Sequence, residues 1–290
     1  MDLSSLSQWI AREVRNVILE NVETDYIREV IAVKATDFTR RIDQIAEERA
    51  IECFKEKGVS AILYSEELGI KKIGDKPEII VLLDPLDGSQ NFSQSIPFYS
   101  VSVAIGYYKK NFSPTDVQVG SVVDVLRGDL YHAMKGKGSF KNNDKIIIRG
   151  KSKYSVGTMK NPLPQNRTEE ILSVEPLISL YIYGPKKQPR SIVSLLKTIK
   201  MRTLGSIALE LCYTASSKLD AVIDLRGGFR VMDIAAGKLI LEEAGGVFKE
   251  IGRKVLCDIL DPNNIGLAFI AARDTSILSY LLNYIGKGSD

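Results

Sequence analysis

Two aspartates three residues apart, Asp84 and Asp87, close the apolar run EIIVLL in the hexapeptide Asp84-Pro85-Leu86-Asp87-Gly88-Ser89. A buried strand there would deliver both carboxylates to its C-terminal end, a recurrent place for ligand sites. In a tight proline-containing turn the two acids and the Leu86 carbonyl between them would face one point, forming the oxygen cage that hard divalent cations take. The amides of Gly88 and Ser89 follow at once and would hold a phosphate oxygen beside such a cation. Taken alone, the hexapeptide fits an ordinary Asp-Gly turn equally well, so the chemistry requires further acids.

Two other segments supply them. Glu66 and Glu67 follow the short apolar stretch AILY, and Asp233 stands in RVMDIAA at the start of a helix of small and apolar residues. Singly, the first reads as a solvated pair and the second as a helix N-cap.

The elements that must position these acids follow from periodicity. Leu6, Trp9, Ile10, Val14, Val17 and Ile18 recur at helical spacing, and Ile42, Ile45, Ala46, Ala50 and Phe54 mark a second amphipathic helix. From Ile79 to Ile148 the runs EIIVLLD, YSVSVAIGYY, VQVGSVVDV, GDLYHAM and KIIIR predict a mostly antiparallel sheet of about five strands. Beyond it the pattern alternates: a strand at 177–183, helices at 192–200 and 207–216, the strand AVIDL, a helix at 234–243 stopped by Gly245-Gly246, the strand LAFIAA, and a last helix at 276–284. An α+β subdomain over 1–155 with most of the acids, then an α/β subdomain over 156–290 with Asp233, is the expected organisation.

Glu-Glu, then DPLDGSQNF, then DIAAG followed by EAGG resembles, in order and spacing, the inositol monophosphatase superfamily. GSFKNNDKI and the segments Gly205-Ser206-Ile207-Ala208 and Leu219-Asp220-Ala221 extend the likeness over nearly the whole chain. The resemblance implies the layered α-β-α-β-α sandwich of sugar phosphatases and hydrolysis of phosphate monoesters by water activated on bound magnesium. It implies that Glu66, Asp84 and the Leu86 carbonyl hold one Mg2+ and that Asp84, Asp87 and Asp233 hold a second. A third, weaker ion would sit near Glu66, and Mn2+ is a possible substitute. Gly88 and Ser89 would hold the phosphate, and Asp43 would pair with the Ser89 hydroxyl. With Glu66 these two form the implied proton-handling set.

The substrate-reading positions depart from the animal enzymes of that family. Their glutamate seven residues before the last metal aspartate corresponds to Arg226, and their tryptophan just before it to Met232. A guanidinium suits a second phosphate better than a sugar hydroxyl. DLRGGFRVMDIAA resembles the archaeal branch, whose members hydrolyse both inositol monophosphate and fructose 1,6-bisphosphate. Tyr181, Tyr183, Lys186, Arg190 and Arg202 are further candidates for the far phosphate. A 3'(2'),5'-bisphosphate nucleotidase shares the same acidic motifs, and a catalytically silent regulatory or RNA-associated relative is a rival of another class. The intact acids oppose the last. Family likeness also suggests a homodimer or a dimer of dimers.

Bulk properties narrow the field. A net charge of +3 with basic residues dispersed among similar numbers of acids excludes a large nucleic-acid-binding field. Uninterrupted apolar runs such as Ile79 to Leu83 are far below the roughly 20 residues of a membrane span, and the N-terminus is too polar for a signal peptide, so a cytoplasmic protein is expected. Cys53, Cys212 and Cys257 show neither pairing nor CxxC spacing and read as buried structural thiols. His132 is the sole histidine, which denies the chain a multi-histidine zinc site, and its strand-like setting makes it structural.

Overall fold

The first sheet grows around the run that the sequence marks most strongly. Residues 2–24, 27, 29–33, 38–148, 175–182, 192–251 and 268–285 are described by the computed structural model. Helix α1 (Leu3–Asn21) opens the chain, followed by a hairpin of β1 (Val30–Val33) and β2 (Phe38–Arg40), then helix α2 (Arg41–Glu56). Asp2 caps α1 by accepting the Ser5 N–H at 3.0 Å.

Eight strands follow: β3 (Ala61–Ser65), β4 (Gly69–Ile73), β5 (Ile79–Asp87), β6 (Ser100–Tyr107), β7 (Val117–Asp124), β8 (Leu130–Met134), β9 (Gly138–Lys141) and β10 (Asp144–Ile146). They form one sheet in the order β10-β9-β8-β7-β6-β5-β3-β4. Every pairing is antiparallel except β3 with β5. A short helix, α3 (Ser89–Ser93), leaves the end of β5. The strands exceed the expected five partly because the chain pairs earlier than Ile79, in the β3–β4 hairpin that turns through Glu66-Glu67-Leu68 into Gly69, whose φ is +66°. The β4 edge carries the exposed Lys71 and Lys72, which blunt it against further pairing.

In the second half come β11 (Leu177–Tyr181), α4 (Ile192–Leu196), β12 (Lys200–Arg202), α5 (Ile207–Ala215), β13 (Ala221–Asp224), α6 (Val231–Glu243), β14 (Val247–Glu250), β15 (Phe269–Ala272) and α7 (Thr275–Ile285). Among the described residues the five strands order as β12-β11-β13-β15-β14, with β11 parallel to both β12 and β13. The predicted helix over 192–200 is shorter than expected, because Lys200–Arg202 pairs with β11 as an edge strand. The 150–157 boundary, Tyr183, Lys186, Arg190 and Cys257 lie outside the described residues.

Strand alternation explains the layering. Ile80 and Leu82 of β5 face α5 and α6, whose other side packs on Val222, Phe269 and Ala271 of the smaller sheet. Val81 and Leu83 face the opposite way, onto Ile10 and Val14 of α1 and Ala46 of α2. Ile178, Ile223 and Ile270 cover the far face of the smaller sheet against α4 and α7. The result is an α-β-α-β-α sandwich whose central layer, α5 and α6, buries apolar side chains against both sheets. His132 sits on β8, its ring 5.3 Å from that of Phe140 and its Nε2 3.1 Å from the Asn142 carbonyl, a structural role. Cys53 and Cys212 are buried free thiols.

The central layer sits very close to the large sheet at one point. A Cβ on Gly120 of β7 would lie 2.9 Å from the Cα of Ala236 in α6 and 3.0 Å from its carbonyl oxygen, backbone that cannot swing aside. Gly120→Val should therefore lower stability by about 1–3 kcal/mol through overpacking. Urea denaturation with an unchanged midpoint would contradict this close approach.

Candidate active site

Both carboxylates of the hexapeptide reach one side of the sheet through a bulge. Asp84 pairs with Ser102 and Asp87 with Ser100, so three steps on β5 oppose two on β6. In a regular strand, residues three apart point to opposite faces, and the extra residue restores them to the same one. Pro85, which has no N–H for the ladder, occupies this irregularity. The expected tight turn is thus replaced by a bulged strand that continues to Asp87, and the chain turns only at Gly88. Gly88 has φ +93°, and a Cβ there would stand 3.1 Å from the carbonyls of Gly205 and Phe98, so no other residue fits without strain.

Parallel pairing sets Glu66. Ser65 lies level with Leu83, which places the next residue beside Asp84 at the shared C-terminal end of β3 and β5. The turn that presents Glu66 is fixed from behind by Glu47 of α2, which accepts the Ser65 hydroxyl and, at 2.9 Å, the Glu67 N–H. Asp43, one helical turn earlier, accepts the Arg40 N–H at 2.7 Å as the third residue of α2.

Asp233 arrives from the central layer. It is the third residue of α6, not its N-cap, because the helix begins at Val231 and Asp233 Oδ2 accepts the Arg230 N–H at 3.0 Å. Its Oδ1 is buried with no hydrogen-bond partner among the described residues, 3.4 Å from Arg230 Nε. One carboxylate oxygen each from Glu66, Asp84 and Asp233 lie within 4.8 Å of one another. Such an all-oxygen set, with a buried acceptor lacking a donor, fits a hard cation such as magnesium.

Asp87 takes a different station. Its Oδ2 accepts from Ser206 Oγ at 2.5 Å, from the Ala208 N–H at 2.8 Å and from Ser100 Oγ at 3.4 Å, while Oδ1 accepts the Ile207 N–H at 3.2 Å. It therefore supplies the capping acceptor at the start of α5 from across the layer interface, where the helix N-terminus favours an anion.

Crowded, buried acids resist ionisation. Burial pushes Glu66 up to about 8, opposed by the Arg230 guanidinium and reinforced by the charges of Asp233 and Glu67. Asp84 is raised strongly by burial, then by Glu66, Asp87 and Asp233. Asp87 rises only to about 6, since burial is countered by its bonds from Ser206, Ala208 and Ile207. Arg230, whose Nη2 meets Glu66 Oε1 at 2.6 Å, supplies the local positive charge. Its position three residues before Asp233, in RVMD, was the available sequence signal, and the patterns of acids passed over it.

Among the substrate-reading candidates, Arg226 is pinned. Its Nη2 is 2.7 Å from Asp224 Oδ2, its Nε is 3.1 Å from Asp224 Oδ1, and the guanidinium lies 4.6 Å from the centre of the Tyr181 ring. Tyr181 is 2% exposed and its hydroxyl bonds Glu210 and Gly205, so the expectation that it meets a distal phosphate is corrected: burial commits it inside the protein. Arg202 lies exposed on the β12 edge, its Nη1 on the Met201 carbonyl.

A layered sandwich with acids gathered at the end of a buried strand and at two helix starts defines a family of phosphatases. The inositol monophosphatase family profile matches residues 3–277, and the chain belongs to that family. It is 37% identical over 261 residues to the fructose-1,6-bisphosphatase/inositol-1-monophosphatase of Methanothermobacter thermautotrophicus, covering 85% of this chain and 86% of that one. It is also 35% identical over 277 residues, 91% of this chain, to the bifunctional NADP phosphatase/NAD kinase of Methanococcus maripaludis, of which it spans 46%. A solved structure from Pyrococcus horikoshii, described as having similarities to inositol-1 monophosphatase, superposes with a TM-score of 0.71 at 33% identity, covering 95% of both chains. Among the described residues no helix is long and apolar enough to cross a membrane.

The raised carboxylates make folding pH-dependent. Glu66 holds its proton in the folded state up to about 8 against an ordinary 4.5, so its contribution is complete below 4.5 and is lost as pH rises through 8. In chelator, the melting temperature should fall across that window, and the fall should be shallower in Glu66→Gln. Equal slopes for the two proteins would refute this assignment.

Proposed function

We propose that this protein is a magnesium-dependent phosphatase of small phosphorylated metabolites, acting on fructose 1,6-bisphosphate, to give fructose 6-phosphate, and on inositol 1-phosphate. The observation that carries the reading is the Glu66–Asp84–Asp233 cluster beside the Gly88 turn. Glu66, Asp84 and the Leu86 carbonyl would hold one ion, Asp84, Asp87 and Asp233 a second, and a third, weaker ion would lie by Glu66. Manganese would substitute for magnesium. Bound metal supplies a water acidic enough to attack near neutral pH and charge to stabilise the leaving oxygen.

The protein's own groups do the rest. Amides of Gly88 and Ser89 orient the phosphate, and Glu66 or the Asp43–Ser89 pair takes the proton of the attacking water. Arg226, held by Asp224, presents fixed positive charge for a second phosphate, with Tyr183, Lys186 and Arg190 as further contacts. The reading extends to a cytoplasmic homodimer or dimer of dimers serving gluconeogenesis. It assigns most metal ligands to residues 1–155 and Asp233 with the substrate-reading residues to 156–290.

A second reading is favoured by the likeness to a protein named as an NADP phosphatase: release of a phosphate carried by a nucleotide ribose, close to the chemistry of a 3'(2'),5'-bisphosphate nucleotidase. Phosphate release from fructose bisphosphate, inositol phosphate, NADP and adenosine 3',5'-bisphosphate, each with magnesium and with chelator, separates the two.

Asp84→Asn is expected to abolish magnesium-dependent phosphate release while circular dichroism and melting stay near wild type. Turnover close to wild type in that variant would sink the metal assignment. Arg226→Ala should reduce kcat/KM for fructose bisphosphate by about tenfold or more, the scale of a lost charge-assisted contact. An equal loss on inositol phosphate would remove Arg226 from distal recognition.

A further inference from the structure

A buried tyrosine joins the two ends of the proposed site. Tyr181 closes β11, and its hydroxyl donates to Glu210 Oε2 at 2.9 Å and accepts the Gly205 N–H at 2.9 Å. Glu210 is wholly buried in α5, and its Oε1 accepts the Leu204 N–H and the Ser179 hydroxyl, each at 2.7 Å. Because the tyrosine O–H donates to the carboxylate, the phenolic lone pairs are turned toward Gly205. Two successive amides, Leu204 and Gly205, are thus suspended from Glu210 and Tyr181.

That suspended segment reaches the Gly88 turn, the short helix α3 and Asp87. Asn91 of α3 donates through Nδ2 to the Leu204 carbonyl at 2.7 Å, and the Gly205 carbonyl packs on Gly88. The following residues, Ser206, Ile207 and Ala208, supply the donors that hold Asp87. On its other side Tyr181 presents its ring to Arg226, 4.6 Å from guanidinium carbon to ring centre.

We infer that Tyr181, braced by Glu210, is a positioning residue that works in two directions: its hydroxyl sets the 204–208 segment and through it Asp87, and its ring sets Arg226. The inference rests on the phosphatase reading above and adds to it two positioning residues outside the acidic motifs. Hydroxyl and ring are separable by substitution. Tyr181→Phe keeps the ring and leaves the Gly205 N–H and a Glu210 oxygen without that partner, while Tyr181→Leu removes both functions.

Three measurements on the full chain test this: amide hydrogen exchange, the magnesium concentration for half-maximal activity, and the ratio of kcat/KM for fructose bisphosphate to that for inositol phosphate. In Tyr181→Phe, exchange over 204–208 should accelerate and the half-saturating magnesium should rise about tenfold, the scale of a lost buried hydrogen bond, with the substrate ratio unchanged. In Tyr181→Leu the ratio should also fall, by about fivefold, the scale of a lost cation–π contact. Glu210→Gln, which keeps an acceptor for Leu204 but takes the carboxylate from the tyrosine proton, should move exchange and magnesium the same way to a lesser degree; it is the second variant if Tyr181→Phe does not fold. Wild-type exchange over 204–208 in a folded Phe variant overturns the inference. So does an unchanged magnesium requirement, or a ratio that falls as far in Phe as in Leu. A wild-type protein that releases no phosphate with magnesium refutes the phosphatase reading instead, and the exchange data still judge the positioning role.

Discussion

The arrangement depends on four carboxylates, two buried and two half-buried, gathered at one place. Glu66, Asp84 and Asp233 stand oxygen to oxygen, with Asp87 near enough to raise the proton affinity of Asp84. Burying like charges costs free energy unless donors, a counter-charge or protons offset it. Here all three serve: the Arg230 guanidinium on Glu66 and Asp233, the donors at the start of α5 on Asp87, and proton affinities displaced upward. A site so organised offsets the burial of its charges, and its oxygens fit a hard cation.

That same demand ties the two sheets together. Asp87 belongs to the large sheet, yet its donors belong to the helix layer that packs on the smaller one. Asp233 enters the cluster from the second helix of that layer. The apolar surfaces of α5 and α6 supply adhesion between sheets, and these polar contacts set the register in which they adhere. Tight approach at Gly120 and Gly88 removes the slack that would let the acids drift. Catalytic groups held to fractions of an ångström need such support from neighbours whose own rotamers are locked.

Under the proposed phosphatase reading, substrate selectivity would follow the same logic. Arg226 is oriented by a buried carboxylate, Asp224, and by an aromatic face, so its charge is presented in one direction and with little rotamer freedom left to lose on binding. A surface lysine at that place would give charge without direction.

The acids themselves were legible in the chain. DPLDGS, the paired glutamates and RVMDIAA carry hard-cation chemistry in their residue types, and strand and helix periodicities located most elements, because burial imposes those periods locally. Short strands, such as those of the β1–β2 and β3–β4 hairpins, left a weaker trace. Only the tertiary structure decided that Asp84 and Asp87 share a face, since one residue of bulge reverses the parity that spacing alone gives. It alone separated Asp87 from the trio, made Asp233 the third residue of its helix, and turned Tyr181 inward to Glu210. All but the placement of Asp233, whose bond from the Arg230 N–H is local, rest on partners more than 20 residues away or on a backbone irregularity, and no local pattern of residue types encodes either.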